Sequence, residues 1–210
     1  MMSIRNPTIR YARLLPLLGA GLALLAPFAA ARAIVISLDP VAQTVTLGAP
    51  VTVNLVAGDL GDGTGPSIGA WDVDIAFDPT VLAFTGATFG AGLDVLGFGT
   101  INGVFDVPGL VDLFEVSFDL PEDLDMFQPS VFTLATLTFA TQVDGFSALA
   151  LTIDELGDAL GNRLMFDSVF GATVTVERPA VQVPEPQSLG LLAVGLLMLA
   201  TLRRRRRRAG

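Results

Sequence analysis

Between Ile34 and about Ala180, apolar and polar residues alternate with a period of two. The clearest run is Trp71-Asp72-Val73-Asp74-Ile75-Ala76-Phe77. As a strand it turns Trp71, Val73, Ile75 and Phe77 to one face and Asp72, Asp74 and Ala76 to the other. Asp78-Pro79 ends it. The same pattern predicts strands over Ile34–Leu38, Gln43–Leu47, Val51–Ala57, Val81–Phe84 and Val111–Leu120. Three more follow at Val131–Thr141, Ala148–Ile153 and Val169–Val176. Val, Thr and Phe dominate these runs, as pleated half-buried surfaces favour. Gly-rich links such as Gly58–Gly65 and Gly86–Gly92 separate them, and the only helical signal is one turn over Glu155–Leu160. About nine short strands predict an all-β domain over residues 34–180, with two antiparallel sheets face to face. Its length suffices to bury a core.

The two ends follow other patterns. Residues 1–33 carry Arg5, Arg10 and Arg13, then an almost wholly apolar stretch from Leu14 to Ala30. Ala29-Ala30-Ala31 or Ala31-Arg32-Ala33 follows as a small-residue cleavage pattern, so this segment reads as a secretory signal peptide. Residues 181–210 hold Val183-Pro184-Glu185-Pro186, an apolar stretch Leu189–Leu202 and a run Arg203–Arg208. The 14 apolar residues predict a C-terminal transmembrane helix. They reach about 21 Å against a hydrocarbon core near 30 Å, the short limit for a span. Arg203, Arg204, Arg205, Arg206, Arg207 and Arg208 form a cytoplasmic stop-transfer cluster, which leaves the preceding domain outside.

This order of parts resembles the PEP-CTERM sorting signal of Gram-negative bacteria. The resemblance implies recognition by an exosortase, cleavage near Pro184-Glu185-Pro186, and delivery to the cell surface or extracellular matrix, often alongside exopolysaccharide. The prolines keep the motif extended for an enzyme cleft. A second resemblance lies in the middle segment. Residues 68–82, from Ile68-Gly69-Ala70-Trp71 to Thr80-Val81-Leu82, look like the early strand pair of cohesin domains. Leu134–Ala140 resembles their late strand, and Val45, Leu47, Gly48, Pro50, Val51 and Val53 their first hairpin. That likeness implies a jelly-roll β-sandwich related to carbohydrate-binding modules. In cellulosomes such domains bind dockerins across one sheet face, but no residue here fixes a dockerin contact.

Charge and composition narrow the chemistry. The chain has 210 residues and a net charge of −9, with no Cys, His or Lys. Thiol, imidazole and Schiff-base chemistry are therefore unavailable. The serines Ser67, Ser117, Ser130, Ser147 and Ser168 lack a His or Lys base. The middle segment holds 20 acids against Arg163 and Arg178, so it repels nucleic acid. Such a surface suits divalent cations. Asp119, Glu122, Asp123 and Asp125 form an acidic loop that is a candidate Ca²⁺ site, set against a solvated turn at Pro121. Asp59-Leu60-Gly61-Asp62-Gly63-Thr64-Gly65 is a second oxygen-rich loop, without the spacing of a calcium hand and more readily a mobile hairpin. No other cofactor is implied.

Asp72 and Asp74 share a strand face, where paired carboxylates serve glycoside hydrolysis or simply keep the face soluble. Trp71 has core parity, which removes the one indole from any sugar platform and leaves Phe89, Phe98 and Phe105 for that role. The reading is an exported, non-catalytic surface or matrix protein acting in adhesion or matrix organisation. Its partners would be an exosortase, exopolysaccharide or another surface protein, and the membrane before processing. A carbohydrate-binding module is the alternative, and a carboxylate-dependent glycosidase the remote one.

Overall fold

The computed structural model describes residues 34–179 and 188–206. The expected signal peptide at 1–33, the motif Val183, Pro184, Glu185 and Pro186, and Arg207 and Arg208 lie outside the described residues. The chain divides into two compact units, Met1–Ala31 and Arg32–Gly210, and all the described residues belong to the second.

Eleven strands are present among the described residues: β1 (Ile34–Asp39), β2 (Ala42–Thr46), β3 (Pro50–Gly58), β4 (Ala70–Ala76), β5 (Leu82–Phe89), β6 (Thr100–Val107), β7 (Leu110–Ser117), β8 (Phe132–Thr141), β9 (Gly145–Gly157), β10 (Phe166–Phe170) and β11 (Ala172–Glu177). A short helix α1 (Pro121–Phe127) precedes β8, and α2 covers Ser188–Arg206. One sheet has the order β10-β1-β3-β8-β5 and the other β2-β11-β9-β4-β7-β6. Pairing is antiparallel except for β1 with β10 and β2 with β11. This is an all-β, two-sheet sandwich, as the alternation predicts.

The core lies where the parity of β4 puts it. Trp71, Val73 and Ile75 are each 1 % exposed. Phe77 meets Phe139 edge-on at 5.2 Å, and Trp71 lies 5.8 Å from Phe89, so aromatic contacts tie β4 to β8 and β5 of the facing sheet. Val51, Val53 and Leu55 of β3 and Leu137 and Phe139 of β8 fill the other wall. Each fully buried aliphatic side chain of this kind stabilises the fold by roughly 1.5–3 kcal/mol in transfer alone.

Several expectations need correction. The strand count is eleven rather than nine. Strand β6 runs over Thr100–Val107, where the alternation predicts no strand, and β5 continues into the Gly86–Gly92 link by a register shift after Phe84. Val169–Val176 is two strands in different sheets, broken at Gly171, where a Cβ would lie 2.3 Å from the Leu149 carbonyl oxygen. No helical turn forms over Glu155–Leu160. Strand β9 extends to Gly157 because Leu156 pairs with Trp71 and is buried, and Asp158 then accepts the N–H groups of Leu160 and Asn162. The expected transmembrane helix is a helix, α2, but no helix among the described residues is long and apolar enough to cross a membrane. Beyond Leu202, its last turn is arginine.

The acidic loop is helix α1, opened by Pro121 at its first turn, where a missing N–H costs nothing. Its C-cap residue, Gln128, is 3 % exposed and locks two loops together. The Gln128 Oε1 accepts the Ile68 N–H at 2.7 Å, while Nε2 donates to the Ile68 and Gly92 carbonyls, both at 2.9 Å. Replacing Gln128 by Ala strands one buried donor and two buried acceptors. We expect Gln128→Ala to lower unfolding free energy by about 2–4 kcal/mol in denaturant titration; a loss below about 0.5 kcal/mol would contradict this bracing role.

Candidate binding surface

The sites proposed from sequence do not assemble as a metal cage. Asp119 is buried and its Oδ2 accepts the N–H groups of Val95 and Leu96 at 2.6 and 3.4 Å. Asp125 accepts the Ser67 hydroxyl at 2.7 Å. Glu122 and Asp123 sit in the first turn of α1, where the helix dipole favours them. Among the described residues no group of three or more acidic side chains is placed to hold a metal ion. The Asp59–Gly65 loop is likewise closed on itself: Leu60 is core, and the Gly61 N–H donates to the Pro66 carbonyl at 3.0 Å.

The side chains that do come together lie on the outer face of the six-stranded sheet. Antiparallel register places paired residues on one face, so Ile101 joins Val116, Phe105 joins Asp112, and Val107 joins Leu110. Phe105, 64 % exposed, stacks on Phe114 with centroids 6.2 Å apart and planes at 19°. Gly103 permits this: a Cβ there would lie 2.4 Å from the Phe114 ring. Phe118 continues the row past Val116 and is exposed. An edge strand and its neighbour thus present a row of large apolar side chains to solvent, which marks an interaction surface more than a solvated one.

Beside this row lie four carboxylates. Asp74 of β4 faces Asp112 of β7, Asp72 is the next outward residue on β4, and Asp154 of β9 borders both. Asp72, Asp74 and Asp112 are half-buried, and Asp154 is exposed beside them. Burial first, then the charges of Asp112, Asp154 and Asp74, hold the Asp72 carboxyl above the ordinary aspartate value. Burial, then Asp154 and Asp112, does the same to Asp74. The Oδ1 atoms of Asp72 and Asp112 are buried without a hydrogen bond of good geometry, and the contact between the two carboxyls adds to the rise at Asp72. The sandwich has two arginines, and Arg178 is engaged with Asp144 at 2.8 Å. All the charges acting on Asp72 and Asp74 are carboxylates.

Parity alone reveals Asp72 and Asp74, but not their neighbours. Asp112 and Asp154 come from strands far away in sequence, and only register brings them in. The apolar row does not show in sequence because no strand is predicted over β6, and only its pairing with β7 sets Ile101 and Phe105 beside Phe114 and Val116. Of the phenylalanines considered for a sugar platform, Phe98 and Phe105 are exposed while Phe89 packs on Trp71.

Comparison with known proteins agrees with both halves of the chain. Residues 182–208 match the PEP-CTERM protein-sorting motif, which implies export and processing by an exosortase. No curated protein matches the chain. Among solved structures, the seventh ScaB type I cohesin of Pseudobacteroides cellulosolvens is 12% identical with a TM-score of 0.56, covering 73% of this chain and 97% of that one. A non-cellulosomal cohesin of Archaeoglobus fulgidus is 14% identical at a TM-score of 0.52, covering 69% and 91%. A type I cohesin–dockerin complex of Clostridium thermocellum gives 13%, 0.54, 69% and 99%. At such identities the likeness is one of fold. The chain is therefore a cohesin-like two-sheet β-sandwich carrying a PEP-CTERM sorting motif at its C-terminus.

Proposed function

We propose that this protein is a non-catalytic binding module of the cell surface or extracellular matrix. It is exported, cut near Pro184-Glu185-Pro186 by an exosortase, and then binds another surface protein through the outer face of β9, β4, β7 and β6. The observation that carries the binding reading is the apolar row of Ile101, Phe105, Phe114, Val116 and Phe118 beside four carboxylates, of which Asp72 and Asp74 feel only other carboxylates among the described residues. A stable protein interface wants this composition: a desolvated aromatic anchor and charges that select a complementary partner. The partner's matching face is apolar with a basic side chain set to meet Asp72 and Asp112. The Clostridium thermocellum relative is seen in a cohesin–dockerin complex, which supports protein binding as a use of this fold. Adhesion or matrix organisation follows from a surface module of this kind.

A sheet face also argues against chemistry. Asp72 and Asp74 project from an open face, and the clefts of about 200 Å³ at Phe77–Pro108 and Gly48–Thr141 contain neither. A glycosidase needs its two carboxylates to flank a bound sugar.

Two outcomes follow. The mature protein in its native cell ends upstream of the arginine tail, so intact-mass analysis finds a product without Arg203–Arg208; a surface product that retains Arg208 contradicts the sorting step. The carboxylate cluster costs the free domain stability that a partner's cation restores. Because burial and like charges raise the folded value of Asp72, its wild-type contribution is complete in acid and is lost as pH rises through that folded value. Asp72→Asn therefore raises the melting temperature near neutral pH, with the difference vanishing below about pH 3.8. The same substitution weakens capture of the envelope partner by roughly tenfold or more. A variant that melts no higher at neutral pH, or binds as well as wild type, contradicts this reading.

A further inference from the structure

Strand β7 turns Val111, Leu113 and Glu115 into the core, and Glu115 is 1 % exposed. A carboxyl therefore occupies a position that the alternation reserves for an apolar side chain. In register it lies between Trp71 of β4 and Asn102 of β6. Its Oε2 and the Trp71 indole nitrogen are both buried without a hydrogen bond of good geometry, though the indole N–H lies near enough to favour the ionised carboxyl. The groups that face it are the Trp71 indole, the polar side chains of Thr100 and Asn102 on β6, and the Asp94 carboxylate from the loop before β6. No cation is among them. An ionised carboxylate in such a place is far costlier than a protonated one, which can donate its proton to an oxygen of Thr100 or Asn102.

The neighbour that this carboxyl touches is the least anchored strand of the sheet. Strand β6 is an edge and pairs with β7 alone. Among its core-side residues Thr100, Asn102, Val104 and Asp106, only Val104 packs against the core. The Asn102 amide donates to the Thr100 hydroxyl at 3.2 Å, so the two polar groups over Glu115 hold each other in place. Moving β6 aside would let water reach the Glu115 carboxylate.

We propose that Glu115 is a proton-dependent latch on edge strand β6: with the carboxyl protonated β6 stays on β7, and with it ionised β6 opens to admit water. Ile101, Phe105 and Val107 ride on β6, so the latch would regulate the binding surface; this consequence rests on the reading above, whereas the latch itself does not. Burial is the largest influence on Glu115 and raises its ionisation above the ordinary glutamate value, with Asp94 adding to the rise and donors from Thr100, Trp71 and Asn102 opposing it. A raised folded value means that the stabilisation is complete below the unfolded value and is lost as pH rises through the folded one.

The test is amide hydrogen exchange on the full-length protein from about pH 4 to about pH 8, with rates corrected for intrinsic exchange. In wild type, protection of the β7-bonded amides within Thr100–Val107 should fall roughly tenfold or more with rising pH while β3 and β8 hold theirs. Glu115→Gln, which cannot ionise, should hold β6 protection flat. Glu115→Leu gives the same expectation should the amide variant fail to fold. Asp94→Asn removes a repulsive charge, so the Glu115 carboxyl ionises more readily and the opening should move to lower pH; a shift upward would overturn the latch. Protection of β6 that ignores pH in wild type, that falls equally in Glu115→Gln, or that falls in step with β3 and β8 would likewise overturn it. None of these readouts uses a partner, so the latch can fail while the binding surface stands, and the reverse.

Discussion

The fold depends on keeping β4 in register between β9 and β7. A slip of one residue would turn Trp71, Val73 and Ile75 to water and drive Asp72 and Asp74 into the core. Both errors are expensive, and the second is worse, since two unpaired carboxylates would be buried. The aromatic contacts of Trp71 with Phe89 and of Phe77 with Phe139 then fix how the second sheet lies on the first. Strands from distant parts of the chain find their places on that template, including β9 and β11, which close the sheet beyond β4.

The same register builds the candidate surface. Strand β4 contributes two carboxylates outward, β7 contributes Asp112, and β9 contributes Asp154, so the cluster is a by-product of alternation made specific by pairing. At β6 and β7 the usual distribution is reversed. Phe105, Phe114 and Phe118 are on the outer row while Glu115 is inside. A local reversal of this sort costs stability, and natural chains keep such costs chiefly where a surface or a switch has a use for them. The surface and the buried carboxyl are thus two sides of the same pair of strands.

Much of this was legible in the sequence because the core strands alternate cleanly. The parity of Trp71, Val73, Ile75 and Phe77 places the core wall, and the three-part C-terminus identifies the sorting motif. What failed to show did so for physical reasons. Strand β6 has one core-packing residue, Val104, with Gly99 just before it and Gly103 in its middle, so its period-two signal is nearly absent. Gly103 is there for the Phe114 ring, a contact that sequence cannot display. The split at Gly171 follows from the close approach of the Leu149 carbonyl, again a matter of packing. The acidic run at Asp119–Asp125 reads as a metal loop by composition, whereas in the fold Asp119 Oδ2 and Asp125 Oδ1 take local hydrogen bonds and Glu122 and Asp123 lie in the first turn of α1. The C-terminal helix was foreseen, but its apolar part is too short to serve as a span by itself.

The central claim is that one sheet face, and not the other, meets a partner at the cell surface. Its most direct measurement is site-specific photo-crosslinking in the native cell, with the reactive side chain placed at Phe105 on one face or at Thr52 on the opposite sheet. The account predicts a discrete protein adduct from Phe105 that disappears when Asp112→Asn is added, with none from Thr52. Equal adducts from both positions, or an adduct from Thr52 alone, would contradict it.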